Sequence, residues 1–110
     1  MIKRKVFVTN KSAHDYSDAE RFGELLYITD GHVDRFNTSH MARVIKKALE
    51  NSSPEDYIII TSLTIICSIC CSLFVHKHGT LNLLLYKNGK YIERTHDFKS
   101  FMKDDSLIGD

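Results

Sequence analysis

The chain has one proline, three cysteines and a net charge of only +1 over 110 residues, and each scarcity removes a class of answer. Pro54 is the single proline and no stretch is rich in Gly, Ser or Pro, so there is no linker at which to divide the chain. A composition 43% hydrophobic and 26% charged is that of a globular body large enough to bury a core. The cysteines are odd in number and confined to Cys67, Cys70 and Cys71, which makes no disulfide framework. A reducing cytoplasm is the simplest compartment, and the N-terminus lacks the apolar stretch of a signal peptide. The small net charge cannot capture nucleic acid at long range, and Lys3, Arg4 and Lys5 read as a solvated arm. A glycine-rich phosphate loop is also missing. Residues 1–97 are expected to form one α/β domain, with 98–110 a polar tail.

What is present in excess is one uncharged run. Tyr57 to Val75 holds 19 consecutive residues without charge, close to the length that crosses a bilayer. Thr61, Ser62, Thr64, Ser68 and Ser72 interrupt it, and its first residues are β-branched or aromatic. A buried strand feeding a buried helix has the same hydropathy and is the preferred reading. No membrane is expected as a partner.

Four apolar runs break into similar polar endings. They are Val6-Phe7-Val8 into Thr9-Asn10, Leu25 to Ile28 into Thr29-Asp30, Tyr57 to Ile60 into Thr61-Ser62, and Leu81 to Tyr86 into Lys87-Asn88. The run at Tyr57 shows no alternation, as in central parallel strands covered on both sides. Between the strands, Ser17-Asp18-Ala19-Glu20 has capping-box wording, but Gly23 allows only about one helical turn after it. Asn37 or Thr38 caps a helix whose apolar stripe is Met41, Val44, Ile45, Ala48 and Leu49, and Pro54 prevents its continuation. A second helix is predicted from Leu63 to His78, stopped by Gly79, with small Thr64, Ser68 and Ser72 along one stripe. Asn88-Gly89 is the signal of a tight hairpin into an antiparallel edge strand over 90–95.

This order gives a small Rossmann-like three-layer fold: a mostly parallel sheet of about five strands with a C-terminal antiparallel hairpin, sandwiched by helices. The endings after Ile28, Ile60 and Tyr86 then share the edge where open α/β sheets hold ligands. The ending after Val8 joins them only if the first strand is parallel to the second. Their connection of about 14 residues is short for a standard crossover.

The candidate ligand-binding residues are those of the endings: Thr9, Asn10, Lys11, Thr29, Asp30, Thr61, Ser62 and Thr64. Thr61 to Thr64 lead into a helix N-terminus, where free N–H groups and the helix dipole favour an anion; plain capping by Ser62 explains the same residues. Asp30 suits a ribose hydroxyl or simply an Asp-Gly turn. His14, Asp15 and His32 are the candidate catalytic groups. His14 is a general acid or base that Asp15 could orient, and His14 with His32 would make the acid/base pair of phosphodiester cleavage. A polar surface loop accounts equally for His14 and Asp15. Cys67 to Cys71 contains a C-x-x-C, but Cys67 sits inside a hydrophobic helix, so these read as small apolar residues and no metal site or cofactor is assigned.

The stretch His14 to Glu24, together with Ser52 to Tyr57, resembles small uncharacterised proteins of phages and prophages over roughly residues 5 to 95. The resemblance implies a cytosolic, virally encoded accessory protein. Two functions are carried forward. One is a module binding a nucleotide or other phosphate-bearing ligand at the strand ends, with a homodimer supplying any missing wall. The other is a phage accessory protein that binds or inhibits a host protein without catalysis. Whether it is an enzyme is left open.

Overall fold

The unbroken apolar runs become strands with no exposed side. In the structure, a computed structural model that describes residues 3–103, β1 (Lys5–Val8) and β3 (Tyr57–Ile59) lie side by side in the middle of a sheet. Val6, Phe7, Val8, Tyr57, Ile58 and Ile59 are all buried. Each such side chain contributes roughly 1.5–3 kcal/mol of burial. Around them stand β2 (Glu24–Tyr27), β4 (Thr80–Lys87) and β5 (Lys90–Asp97), in the order β2-β1-β3-β4-β5. The first four are mutually parallel and β5 is antiparallel to β4. The mostly parallel five-stranded α/β sheet with its terminal antiparallel pair is therefore as expected.

The layers differ from the expectation. Both long helices, α1 (Thr38–Ala48) and α2 (Thr64–His78), pack on one face, where Met41, Ile45, Ile66, Cys70 and Phe74 meet Phe7 and Ile58. The opposite face is covered by a 3-10 helix (Ser17–Phe22), with Tyr16 and Ala19 against Val6, Val8, Ile59 and Leu84. The right-handed crossover rule explains the division. From β2 to β3 and from β3 to β4 the chain steps one way along the sheet, but from β1 to β2 it steps the other way. The first connection must then cross the opposite face.

That connection is parallel despite being short. Gly23 makes it fit: a Cβ there would run into the main-chain carbonyl of Arg4, while the next amide, of Glu24, donates to that same carbonyl at 3.0 Å. The capping box expected at Ser17 does not form. Tyr16 occupies the cap position without a side-chain bond, and Asp15 Oδ1 accepts from the Ser17 amide at 2.9 Å instead.

The hydropathy run at Tyr57–Val75 divides into β3 and α2, and no helix among the described residues is long and apolar enough to cross a membrane. α1 begins where Asn37 accepts the His40 amide at 3.2 Å. α2 ends at Gly79 in the left-handed conformation. The hairpin turn has positive φ at both Asn88 and Gly89, the geometry of a type I′ turn. The small stripe of α2 is exposed, with the Ser68 and Ser72 hydroxyls turned back onto the carbonyls of Thr64 and Ser68. The segment read as the start of a polar tail folds in part: Phe98–Lys103 form α3, whose first amides donate to the Gly79 carbonyl. Residues 104–110 of that expected tail lie outside the described residues.

At the N-terminal edge of the sheet one buried carboxyl organises the backbone. Asp56 is fully buried and accepts the Lys5 amide at 2.9 Å and the Ser53 amide at 2.8 Å. Asn82 then bonds the carbonyls of Asp56 and Pro54, joining β4 to the same corner. Replacing Asp56 by Ala strands two amides, each costing about 1–3 kcal/mol when unpaired. The expected outcome is a large fall in the urea midpoint with an unchanged m-value, and a smaller fall for Asp56→Asn, which keeps one acceptor.

Candidate functional site at the carboxyl ends of the strands

Because β1 is parallel to both its neighbours, all four polar endings reach one edge. Past its end β1 stays beside β2: the Lys11 amide donates to the Thr29 carbonyl at 2.8 Å and the Gly31 amide to the Lys11 carbonyl at 3.1 Å. The Thr29 hydroxyl donates to the Thr9 carbonyl at 2.8 Å and to Asn10 Oδ1 at 2.9 Å. On the other side of β1, the Thr9 and Thr61 hydroxyls are 2.8 Å apart. Thr29, Asn10, Thr9 and Thr61 thus form one bonded strip across three strands.

Thr9 itself points inward. It is fully buried, and its hydroxyl also reaches the Ile59 carbonyl at 3.3 Å and Cys67 Sγ at 3.4 Å. Cys67 accepts the Thr61 amide at 3.3 Å, so this thiol fastens the start of α2 to the end of β3. Burial raises the Cys70 thiol far above its ordinary value and pushes Cys71 up to about 11. Such thiols do not supply a thiolate nucleophile at neutral pH. Among the described residues no cluster of His, Cys, Asp or Glu is disposed to hold a metal.

Two clefts flank the ends of β1 and β3 on this edge, one on each face of the sheet. The first, of about 450 Å³, lies on the α1–α2 side between β1 and β3, and Asn10, His32, Arg35, Ser62 and Thr64 line it. The expected capping by Ser62 does not occur: Leu63 holds the cap position and no side chain caps α2. The amides of its first turn are left to face solvent or a ligand. Sequence reasoning missed Arg35 and Phe36, which stand on the same cleft. Asp34 accepts the Phe36 amide at 3.0 Å in a tight turn, and Phe36 is left 87% exposed. The loop follows a parallel strand and so belongs to this edge, but only its Thr29, Asp30 and His32 were candidates, because nothing local distinguishes Arg35 or Phe36.

The second cleft, of about 320 Å³, opens on the 3-10 helix side and is lined by His14, Tyr16, Thr61, Ser62, Tyr86 and Tyr91, among others. His14 stands edge-on to Tyr86, with ring centres 4.5 Å apart, and to Tyr16 at 5.2 Å. Asp15 takes no part in holding that ring, its carboxylate being bonded to the Ser17 amide, which lowers its pKa. Burial pushes the Tyr91 phenol up to about 12. His32 lines the first cleft and not the second, so the two histidines face separate spaces. Lys11 lies over the exposed Tyr27 ring at 4.9 Å, and Asp30, also exposed, borders with Thr29 and His32 a further cavity of about 250 Å³ beside α1.

The architecture is that of a small α/β scaffold with its polar loops on one side, and the sequence similarity now has a structure to attach to. A protein-family model described as phage Pam3 gp32-like protein matches residues 4–100, nearly the whole folded body. The chain belongs to that family. The match agrees with the phage resemblance read from the sequence, and the family description carries no activity. No curated protein and no solved structure matches the chain.

The wall of the second cleft depends on an ionic clamp. The main-chain N–H of Tyr91 donates to Asp18 Oδ2 at 2.7 Å, the Tyr91 carbonyl accepts from Arg21, and Arg21 pairs with Asp18 at 3.4 Å. The 3-10 helix thereby occupies part of the outer edge of β5, which would otherwise be open to another strand. The Tyr91 amide holds the Asp18 carboxylate below its ordinary pKa, with Arg21 adding to this. A carboxylate whose pKa is lowered by folding stabilises fully above its unfolded value and loses that contribution as pH falls through the folded one. Asp18→Asn should therefore flatten the loss of stability below about pH 4 and speed exchange of the Tyr91 amide. Hydrogen exchange and urea titrations from neutral to acid pH measure both.

Proposed function

We propose that this phage-family protein is a small Rossmann-like module that binds a nucleotide or other phosphate-bearing ligand at the carboxyl ends of its parallel strands, in the cytoplasm. One observation carries the reading. The side-chain-uncapped start of α2 opens, beside Arg35, Asn10 and Ser62, on the largest of these edge clefts, between strands whose connections leave toward opposite faces. Such switch points are where open α/β sheets bind ligands, and helix N-termini with a nearby guanidinium suit phosphate oxygens. Asn10, Ser62 and Thr64 present side chains to this cleft. Thr9, Thr29 and Thr61 hold the edge together behind them. Should chemistry follow binding, His14 is the candidate to move a proton, from the neighbouring cleft that shares Ser62 with this one. A joint role with His32 has no shared cleft to support it.

Inorganic phosphate, pyrophosphate and mononucleotides at millimolar concentration should raise the melting temperature saturably, and less so in high salt. Arg35→Ala removes a charge-assisted contact and should weaken binding about tenfold. Absence of any shift with every phosphate compound would remove the reading. The second reading, a phage accessory protein that binds a host protein, is favoured by the family match and by Phe36, which projects 87% exposed from its loop. Capture of one host protein that is lost with Phe36→Ser, without any phosphate effect, would decide for it.

A further inference from the structure

The tyrosine-lined cleft is chemically unlike the one beside it. Tyr91 and Tyr16 are buried in its floor, while Tyr86 stands at its mouth with 52% of its surface exposed, next to Ile60 at 39%. Tyr86 is held edge-on by His14 at 89° and by Tyr91 at 63°, with ring centres 4.5 and 5.3 Å away. Edge-to-face contacts of this kind fix a ring in place and leave one of its faces unused. Hydroxyls stand around the rings: Ser12, which bonds the Tyr16 phenol at 2.9 Å, Thr61, and the exposed Ser62. Among the described residues no Asp, Glu, Lys or Arg lines the space. Its volume of about 320 Å³ is within the range of small-molecule sites.

A flat, uncharged ring with polar edges fits these walls. Ser62 lines this cleft and the one at the start of α2, so the two meet at that residue. We infer that the tyrosine cleft is a base-binding subsite: it takes the nucleobase of a nucleotide against Tyr86, with the sugar and phosphate crossing Ser62 toward α2. The phosphate half rests on the function proposed above; the base half stands on the aromatic cleft alone. Bases bind such rings through their π faces, which every base has, and the surrounding hydroxyls meet the donors and acceptors on the base edge.

The test uses the full chain and titrates it separately with ribonucleosides, nucleoside monophosphates, a methyl glucoside and inorganic phosphate. The chain has no tryptophan, and three of its five tyrosines line the cleft, so tyrosine and histidine ring resonances report on it directly. Nucleosides lacking phosphate should shift the Tyr86 and His14 signals saturably. Tyr86→Ala should weaken nucleosides about tenfold and leave inorganic phosphate unaffected, and Tyr86→Phe should restore binding. The inference is overturned if nucleosides cause no saturable shift, if they shift only His32 and α1, or if the glucoside binds this cleft in their place. Binding of nucleosides with no binding of phosphate would keep the base subsite and remove the anion reading. Should Tyr86→Ala fail to fold, as judged by circular dichroism, the unmodified chain and Tyr86→Phe decide the matter.

Discussion

The polar carboxyl edge of the sheet depends on how Thr9 is held. Its carbonyl accepts from Thr29 of the strand on one side, and its hydroxyl meets Ile59 and Thr61 of the strand on the other, with Cys67 of α2 beside it. A hydroxyl at full burial must find partners, because an unpaired one costs about 1–3 kcal/mol. Meeting that demand here draws the ends of three strands and the start of a helix to one point. The clefts exist because the loops leaving this point diverge, one to each face of the sheet.

Opposite solutions are used at the two ends of the sheet. At the N-terminal edge Asp56 and Asn82 satisfy backbone groups at the start of β1 and in the segment leading into β3, and the corner is closed. At the carboxyl edge the side chains bond one another across β1 and β3, while the first amides of α2 receive no cap. One edge is thus finished by its own residues, and the other retains unused hydrogen-bonding capacity. The 3-10 helix adds a further restraint, because Asp18 and Arg21 hold the β5 backbone and keep Tyr91 beneath Tyr86 and His14.

Much of the fold was legible because local patterns agreed with the final environment. Met41, Ile45 and Leu49 are buried along one helix face, as their spacing requires, and Asn88-Gly89 turns the hairpin its φ angles allow. The misplaced layer has a physical cause: periodicity says which face of an element is apolar, but the face of the sheet it covers depends on strand order. Ser17 and Ser62 were misread because Ser is a good cap by composition, whereas capping needs a particular backbone geometry at that residue. Arg35, Phe36 and Tyr86 were missed as site residues because nothing local marks an exposed arginine or aromatic until other loops are placed around it.

By itself, the sequence determined the five strands and the two long helices, the hairpin, the burial of β3 and the polar character of every strand ending, since each follows from neighbours along the chain. Tertiary structure alone decided that β1 runs parallel in the interior of the sheet, that both long helices share one face, and that the edge divides into a cleft at the uncapped start of α2 and an aromatic one. The deciding contacts join residues about fifty positions apart, such as Thr9 with Thr61 and Lys5 with Asp56. No local pattern encodes such pairings. They arise when right-handed crossovers and the packing of two apolar faces leave one arrangement in which the buried polar groups are satisfied.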